Sequence, residues 1–490
     1  MDIGIIIFTV INRIDGYLEG GTIVKTTKKT PYYYQAVNFE KLVNAYEPPL
    51  EFMDGAWKWS RAQIEDNQLK RLKETLKKGA EIPFYQRLWA KHDFTPEDIQ
   101  SLEDMHKIPL YTIDDIRESI QLEPPFGDYQ KYHFDDGTHE PLRFYTSGGT
   151  TGAPRPTIYS AWDREVGAIL SARTFYLHGI RPGDAVMNSW AYSTHNAAWI
   201  MDHGLWQWLG CTPITTGTGN VTPTEKQVEF LQTFGVSSIL ATSDYLVHIG
   251  NTAKKMGIDP KEDLHIKTLS GFGAKEPVQD VFGCPVYDSY AFHEVQYVAA
   301  ECEAEEGLHI FEDAFIIEVV DFETGEPLPP GYRGNIVVTA LYKTGTQQIR
   351  YNIQDISASY EMKLCSCGSW HKKIDYFKGR SDNMIKLRGI NVWPEALGDI
   401  VSKSEKTNGE YFCLLERLES NGQAARDEMT ILVEPKFVSS DRSALQTELE
   451  GQLKQKIGVK INVNIVEPDS LRELTGHGVR AKLKRFEDRR

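Results

Sequence analysis

Residues 144–155 read FYTSGGTTGAPR, a run that places three glycines and four Ser or Thr hydroxyls between two strand-like segments. Glycines let the backbone turn so that successive N–H groups converge on an anion, and the hydroxyls add donors for phosphate oxygens. The run therefore predicts a loop that binds the phosphates of a nucleotide. The residues predicted to form it are Thr146, Ser147, Gly148, Gly149, Thr150, Thr151 and Gly152.

This loop differs from two common nucleotide-binding motifs. It does not match the G-x-x-x-x-G-K-[ST] pattern of Walker-type NTPases, and no G-x-G-x-x-G lies between a strand and a helix. A lone run of this composition is also typical of an ordinary surface loop. Its function therefore depends on what the rest of the chain offers.

The overall composition is that of a folded globular protein. Of its 490 residues, 41% are hydrophobic and 25% are charged, and the formal net charge is -15. Such a charge repels phosphates, which disfavours a nucleic-acid partner and an anionic membrane surface. The apolar segment 3–11 is shorter than the roughly 20 residues that span a bilayer and has no basic region before it, so we predict a buried strand there. Six cysteines do not indicate a disulfide framework, and we expect a cytoplasmic location.

Short β-rich runs alternate with helix-like stretches between residues 142 and 310. This alternation predicts an α/β fold with mostly parallel sheets, whose loops after the strands carry the sites. The runs predicted as strands are 185–190, 237–241 and 286–291, and 224–234 is predicted as a helix.

The remaining sequence predicts two further units. Residues 311–355 read as strands at 315–320 and 334–340 joined by a Gly- and Pro-rich turn, which indicates a β-rich, antiparallel subdomain. Beyond Arg380 the pattern predicts a compact α+β unit. Its predicted elements are helices at 394–403 and 443–456, strands at 429–434 and 460–466, and a basic tail. We therefore predict a large N-terminal domain, 1–380, and a small mobile C-terminal α+β domain, 383–490.

The loop at 145–155 is followed along the chain by three further motifs, YAFHE at 290–294, RYNIQD at 350–355 and GRSDNMIKLRG at 379–389. These four motifs resemble, in order, those of the acyl-adenylate-forming superfamily, and most closely those of its phenylacetate-CoA ligase family. The first is the loop at 145–155. The second reads YAFHE at 290–294 and resembles the family's Tyr-Gly-x-x-Glu motif, and the third reads RYNIQD at 350–355 and resembles Arg-Tyr-x-x-Gly-Asp. The fourth, GRSDNMIKLRG at 379–389, resembles the hinge between the family's large and small domains. The resemblance implies the family's fold and its ATP-dependent activation of carboxylic acids.

The resemblance also implies roles in an ATP site. Tyr290 lies against the adenine, and Glu294 binds a Mg²⁺ ion that bridges phosphate oxygens, as a hard cation prefers an oxygen ligand. Asp355 accepts hydrogen bonds from the ribose hydroxyls, and Arg380 contacts the ribose or a phosphate. Taken alone, Glu294 and Asp355 also fit a solvated acid and a turn-forming residue. Gln354 stands where glycine is usual, which leaves the path of this loop open.

The resemblance places the hinge and the catalytic lysine near the C-terminus. Asp382 lies where the family bends between its two catalytic arrangements. Residues 478–490 resemble the family's terminal segment, in which the lysine falls at Lys482, with Lys484 as a close alternative. Its ammonium would neutralise charge that develops between the carboxylate and the α-phosphate. The alternative readings are an exposed turn and a basic solvated tail.

Three cysteines and one histidine suggest a metal site. A Cys₃His set is a closed tetrahedral arrangement that zinc uses structurally, and some members of the resembled family carry zinc in such a layout. The alternative is four ordinary residues. The predicted ligands are Cys302, His309, Cys365 and Cys367, whereas Cys211, Cys284 and Cys413 read as core residues.

The resemblance also places an acid pocket after the strand at 185–190. Aromatic walls with little aliphatic depth suit a flat ring better than a long chain, which predicts an aryl or arylacetic acid. An aromatic cluster of this kind is also compatible with packed core. The predicted pocket residues are Tyr192, His195, Phe272, Gly273 and Ala291.

The combined prediction is an AMP-forming carboxylate-CoA ligase. It would use ATP and Mg²⁺ to make an acyl-AMP, pass the acyl group to coenzyme A as cosubstrate, and contain a structural Zn²⁺. One alternative delivers the acyl group to an amine or a carrier-protein thiol. Another is an inactive nucleotide-binding regulator, which the departures Gln354, Gly148 and Arg155 from the family pattern keep open. No membrane or nucleic-acid partner is expected, and the sequence leaves the oligomeric state open.

Overall fold

The computed structural model describes most of the chain. The described residues are 31–131, 140–147, 155–381, 385–387, 390–420, 423–437, 441–476 and 483–490. The strand predicted at 3–11 lies outside them. Among the described residues, no helix combines the length and apolarity that crossing a bilayer requires.

Fourteen α-helices occur in these described parts. They are α1 (Tyr33–Ala36), α2 (Phe39–Ala45), α3 (Pro49–Asp54), α4 (Arg61–Gly79), α5 (Pro83–Lys91), α6 (Ile113–Leu122), α7 (Ala161–Leu177), α8 (Ala197–His203), α9 (Thr224–Thr233), α10 (Ser243–Lys255), α11 (Glu276–Phe282), α12 (Pro394–Ser402), α13 (Arg442–Ile457) and α14 (Arg472–Thr475).

The strands assigned within the same residues are mostly short. They are β1 (Arg143–Ser147), β2 (Arg155–Tyr159), β3 (Ala185–Asn188), β4 (Thr212–Ile214), β5 (Ser238–Leu240), β6 (Thr268–Ser270), β7 (Val286–Tyr287), β8 (Ser289–Phe292), β9 (Gln296–Glu301), β10 (Leu308–Ile310), β11 (Phe315–Val320), β12 (Arg333–Ala340), β13 (Tyr351–Ala358), β14 (Lys373–Ile374), β15 (Ile385–Leu387), β16 (Ile390–Val392), β17 (Thr407–Ser420), β18 (Gln423–Pro435), β19 (Asn462–Ile465) and β20 (Phe486–Asp488).

A five-stranded parallel sheet forms the centre of the α/β region. Its strand order is β4-β3-β5-β6-β7, and every neighbouring pair is parallel. Strands β5 and β6 are fully buried, because helices α9, α10 and α11 cover the sheet and share an apolar core with it. The predicted α/β fold is confirmed, and the helix predicted at 224–234 corresponds to α9.

The strand predicted at 286–291 is wrong as a single element. The chain forms β7 in the parallel sheet and then β8 in an antiparallel sheet of order β14-β10-β9-β8. Between them lies buried Asp288, whose backbone N–H donates to Oε2 of Glu301 and whose Oδ1 accepts from the Ser289 N–H. Side-chain acceptors thus replace strand partners at this residue, and the chain changes sheets there.

An antiparallel sheet β11-β12-β13 confirms the predicted β-rich unit at 311–355. The last part of the chain has its own apolar cluster, formed by residues between Ile385 and Ile465 with Phe486 packed against it. Its four-stranded sheet has the order β19-β18-β17-β20. The prediction of a basic tail therefore misses a strand, because Phe486 to Asp488 pair in parallel with Cys413 to Leu415 of β17.

Candidate active site

Strands β1 and β2 form an antiparallel hairpin whose last pair joins Ser147 to Arg155. The predicted phosphate-loop residues Gly148, Gly149, Thr150, Thr151 and Gly152 lie between them, outside the described residues, as does the Ser147 side chain. The base of the hairpin is fixed at Thr146. Its N–H donates to the Thr194 carbonyl at 2.8 Å, and its hydroxyl donates to the Thr194 hydroxyl at 2.9 Å. The hairpin is thereby attached to the loop that carries His195.

Three predicted nucleotide-binding residues, separated in sequence, lie together. The Tyr290 hydroxyl donates to Oδ2 of Asp355 at 2.7 Å, and Nη1 of Arg380 donates to Oδ1 of the same carboxylate at 2.8 Å. Tyr290 belongs to β8 and Asp355 to β13, and a backbone bridge joins Asp355 to Arg380. Burial, and then the charge of Asp355, raise the pKa of Tyr290 well above its ordinary value. The phenol therefore stays protonated and can donate.

Gln354 adopts a backbone conformation that favours glycine. Its φ is +65°, in the left-handed region that L residues with side chains rarely occupy. The N–H of Gln354 donates to Oδ1 of Asn352 at 3.0 Å, and its carbonyl accepts from the Ser381 hydroxyl at 3.3 Å. These contacts hold Gln354, the residue of β13 directly before Asp355, in a conformation that a glycine would adopt at less cost.

Glu294 lies in the turn between β8 and β9 and is only 6% exposed. Its Oε1 is 3.4 Å from Nη1 of Arg155, the first residue of β2. Because β2 is one arm of the hairpin at 143–159, this ion pair places the Glu294 carboxylate beside the end of β2 that follows the predicted phosphate loop in sequence.

Sequence reasoning assigned no role to His293, although it directly precedes Glu294. Its Nε2 is buried and has no hydrogen-bond partner among the described residues. Burial, opposed by the charge of Glu294, lowers the pKa of His293 to about 4. The imidazole is therefore neutral near pH 7. In the sequence, only the position of His293 next to Glu294 could have indicated that it belongs to the site.

Two residues of the predicted acid pocket, Phe272 and Tyr192, each meet a tryptophan edge to face. The rings of Trp190 and Phe272 lie 5.2 Å apart, and those of Tyr192 and Trp199 lie 5.1 Å apart. Burial lowers the pKa of His195, so this imidazole also favours the neutral form. The other predicted wall residues lie on neighbouring segments, with Gly273 following Phe272 at a φ of +118° and Ala291 on β8.

The four predicted metal ligands converge. The ligand atoms of Cys302, His309, Cys365 and Cys367 all lie within 4.8 Å of one another. Sγ of Cys302 is 3.9 Å from Sγ of Cys365, and Sγ of Cys367 is 3.5 Å from Nε2 of His309. Sequence positions more than sixty residues apart meet here because β10, which carries His309, pairs with both β9 and β14.

A second histidine supports this cluster without joining it. The Nδ1 of His309 is 3.1 Å from the backbone carbonyl of His371, so an Nδ1–H donor leaves Nε2 free to face the cysteines. The ring of His371 itself contacts the carbonyls of Ala56 and Ile310. Of the three cysteines predicted as core, Cys211 and Cys413 are buried and Cys284 is half-buried.

The C-terminal candidates are only partly described. Asp382 and Lys482 lie outside the described residues. The alternative lysine, Lys484, forms an ion pair with Glu487 at 2.7 Å, and its N–H donates to the Thr475 carbonyl at 2.9 Å. This backbone bond joins the two chain ends that flank Lys482.

Comparisons with known proteins agree over most of the chain. Residues 389–490 match the family described as the AMP-binding enzyme C-terminal domain. The phenylacetate-coenzyme A ligase of Aromatoleum evansii is 30% identical over 450 residues, which cover 88% of this chain and 96% of that protein. The phenylacetate-coenzyme A ligase of Thermus thermophilus is 30% identical over 470 residues, covering 91% and 99%.

A solved structure shows the same fold. The crystal structure of 2-hydroxyisobutyryl-CoA ligase in the postadenylation state, in complex with 2-HIB-AMP, superposes with a TM-score of 0.76 at 25% identity. The match covers 88% of this chain and 91% of that one. This structural match and the 30% identity over nearly the whole length of two relatives show the family. The chain belongs to the phenylacetate-coenzyme A ligase family of acyl-adenylate-forming enzymes.

Proposed function

We propose that this chain is an AMP-forming ligase that joins a carboxylic acid to coenzyme A. In the first step a carboxylate oxygen attacks the α-phosphorus of ATP, the bond to the β-phosphate breaks, and pyrophosphate leaves with the electron pair. In the second step the thiolate of coenzyme A attacks the acyl carbon, and the bond to AMP breaks. The observation that carries the proposal is the convergence of Tyr290, Asp355 and Arg380 near the β1–β2 hairpin within a chain of this family.

The nucleotide would be held mainly by side chains on the two antiparallel sheets. Asp355 can accept both ribose hydroxyls, because a carboxylate offers two oxygens and Tyr290 and Arg380 already hold it in one orientation. Because the Asp355 carboxylate is charged, the hydrogen bonds that it accepts are stronger than those between two neutral groups. We assign the adenine contact to the Tyr290 ring and the phosphates to residues 146–152.

Glu294 is the proposed Mg²⁺ ligand. Magnesium binds through one or two carboxylates plus phosphate oxygens, and a buried carboxylate beside the hairpin fits that donor set. When bound, the ion would neutralise the phosphate charge that otherwise repels the incoming carboxylate. Arg155, now 3.4 Å from Glu294, would balance that acid when no ion is bound.

Lys482, Asp382 and the division of the chain complete the proposal. Lys482 would stabilise the charge that develops during adenylation, and Asp382 would be the hinge between domains 1–380 and 383–490. The division is supported by the separate apolar cluster of residues 385–486. In this arrangement the small domain presents the lysine for the first step and then moves to admit the thiol.

We assign the acid to the aryl or arylacetic class. The assignment is supported by the aromatic surfaces of Trp190 and Phe272 and by the neutral side chains of His195 and His293. Flat rings pack against such surfaces by offset or edge contacts, whereas a long aliphatic chain needs greater depth. Two half-buried imidazoles add hydrogen-bonding capacity for an acid with polar atoms.

The Cys302, His309, Cys365 and Cys367 cluster fits a structural zinc ion. Zinc–sulfur bonds of about 2.3 Å and zinc–nitrogen bonds of about 2.0 Å in a tetrahedron separate two sulfurs by about 3.8 Å, and sulfur from nitrogen by about 3.5 Å. The observed separations are 3.9 and 3.5 Å. The four ligands leave no open position for substrate, so the ion would stabilise the β9–β10–β14 sheet.

An ATP–pyrophosphate exchange assay with a panel of acids tests the adenylation step. We expect exchange with aryl or arylacetic acids, and thioester formation when coenzyme A is added. If exchange occurs but only an amine or a carrier protein accepts the acyl group, the acceptor is wrong. If medium-length fatty acids are preferred, the acid class is wrong. If no acid supports exchange while ATP still binds, the chain is a nucleotide-binding regulator.

A further inference from the structure

The turn that carries Glu294 is held at its backbone by two buried tyrosines. The Tyr159 hydroxyl donates to the His293 carbonyl at 2.6 Å, and the Tyr342 hydroxyl donates to the Val295 carbonyl at 2.6 Å. These are the residues immediately before and after Glu294. The acid is therefore fixed on both sides by side chains from other segments, and neither tyrosine contacts Glu294 itself in these hydrogen bonds.

Tyr159 also fixes the end of the turn. Its hydroxyl accepts from Nε2 of Gln296 at 3.0 Å, and Gln296 has a φ of +72°, in the left-handed region. A residue with a side chain holds that conformation only where its surroundings determine it. One phenol oxygen thus bonds both to residue 293 and to residue 296.

A buried ion pair lies against the Tyr159 ring. Nζ of Lys343 is 3.5 Å from the ring centroid and 3.5 Å from Oδ2 of Asp163, and both charged side chains are 0% exposed. A lysine over the face of an aromatic ring is attracted to its electrons, more strongly where water is excluded. The ring is therefore constrained on its face as well as at its hydroxyl.

Asp163 also binds the two residues that follow Lys343 in the chain. Its Oδ1 accepts from the Thr344 N–H at 2.7 Å and the Thr344 hydroxyl at 2.9 Å, and its Oδ2 accepts from the Gly345 N–H at 3.0 Å. Asp163 lies in the first turn of α7, where Ser160 caps the helix. The pair thus stands on a helix start that directly follows β2 and cannot shift without breaking these bonds.

Strand β2 contacts the Glu294 turn at both of its ends. Nη1 of Arg155 lies 3.4 Å from the Glu294 carboxylate. The hydroxyl of Tyr159, four residues later, donates to the carbonyl of His293, the residue before Glu294. The same strand is one arm of the predicted phosphate hairpin. It therefore fixes the distance between that hairpin and the carboxylate.

We propose that Tyr159 is a positioning residue for the Glu294 carboxylate, supported by the Lys343–Asp163 pair and assisted by Tyr342. The proposal rests on the proposed function, since it assumes that Glu294 binds Mg²⁺ during adenylation. A metal ligand held rigidly loses little conformational freedom on binding the ion. Removal of a residue that orients a ligand typically weakens metal binding or activity by about 10- to 100-fold.

The test compares Tyr159→Phe with Tyr297→Phe. Tyr159→Phe removes one oxygen and keeps the ring against Lys343. Tyr297 provides the matched control, because it is a buried tyrosine on neighbouring β9 whose hydroxyl has no hydrogen-bond partner among the described residues. ATP–pyrophosphate exchange is measured against free Mg²⁺ concentration, with saturating acid and ATP, and thermal unfolding is followed in parallel.

We expect Tyr159→Phe to raise the Mg²⁺ concentration for half-maximal exchange by about tenfold, and Tyr297→Phe to leave it unchanged. Tyr342→Phe, a second variant if Tyr159→Phe folds poorly, should shift it in the same direction. An unchanged Mg²⁺ dependence in a folded Tyr159→Phe, or the same shift in Tyr297→Phe, would overturn the proposal. Absence of exchange in the unaltered protein would instead contradict the proposed function.

Discussion

The Tyr290 hydroxyl donates a 2.7 Å hydrogen bond to Asp355, across 65 residues of sequence and between two different antiparallel sheets. Arg380 binds the other oxygen of the same carboxylate. The protein itself therefore holds this carboxylate in one orientation, so a ribose bound there as proposed would require little further ordering.

Replacement of Asp355 by Asn should weaken ATP binding. The amide keeps the size of the carboxylate but loses its charge and one of its acceptor oxygens, and hydrogen bonds to charged groups contribute about 1.5–3 kcal/mol. We expect the KM for ATP to rise about tenfold or more, with a smaller change in the KM for the acid. Steady-state kinetics of exchange measures both constants.

The control is Asp321→Asn, which changes a half-buried turn aspartate whose Oδ1 accepts from the N–H groups of Glu323 and Thr324. It should leave both constants unchanged. An equal rise of the two KM values in Asp355→Asn would point to general damage and not to a ribose contact.

Lys482→Ala should abolish adenylation but spare thioester formation from a supplied acyl-adenylate. In the proposed role, the ammonium would be needed only where charge develops at the α-phosphate. Lys484→Ala serves as the comparison, since the Lys484 side chain already pairs with Glu487. Loss of both half-reactions in Lys482→Ala would remove that residue from its proposed role, and loss of adenylation in Lys484→Ala alone would move the role to Lys484.

Purified protein should contain about one zinc ion per chain. The double variant Cys365→Ser, Cys367→Ser should lose it and unfold at lower temperature, because two of four ligands are gone. Cys284→Ser, which changes a half-buried cysteine outside the cluster, should keep its zinc. Metal analysis and thermal unfolding decide this, and zinc retained by the double variant would exclude the site.

His178 should make folding less stable in acid. Burial lowers its pKa from an ordinary value of 6.5 to about 3, and its ring contacts the Ser270 hydroxyl and the Asp288 carbonyl. The unfolded chain therefore binds a proton that the folded chain does not, and stability falls as the pH drops from 6.5 towards 3.

His178→Gln should be less stable than the original protein at pH 7 but should lose less stability between pH 6.5 and 4. Thermal unfolding over that range measures the two slopes. His106→Gln, at an exposed histidine, serves as the comparison for a histidine-to-glutamine change on the surface. Parallel curves for His178→Gln and the original protein would contradict the expectation.

Motif order and strand patterns in the sequence were sufficient to predict the main layout. The strand at 315–320 matches β11, and the sheet after residue 185 is parallel as the alternating pattern indicated. The Cys and His set could be named because thiolates with an imidazole form a recognisable zinc donor set. The structure brings these four residues together, so residue type was sufficient to predict the cluster, and zinc binding stays a prediction.

Features that depend on contacts between distant residues could not be predicted from the sequence. The change of sheets at Asp288 depends on Glu301 accepting its N–H, which no local pattern indicates. The strand β20 exists because β17 offers it an edge, although residues 486–488 read as a charged tail. Tyr159, Lys343 and Asp163 belong to no motif, and only the tertiary fold places them behind Glu294.

The hydrogen bond from the Lys484 N–H to the Thr475 carbonyl limits how far Lys482 can lie from these two residues. Eight residues, 476–483, lie between Thr475 and Lys484, so covalent geometry limits the middle of this segment to about 15 Å from them. Because the segment is short and fixed at both ends, Lys482 cannot move far by itself. In the proposed mechanism, Lys482 would therefore reach ATP and withdraw before thiol attack only through movement of the whole C-terminal unit, and a stiffer hinge would slow both steps together.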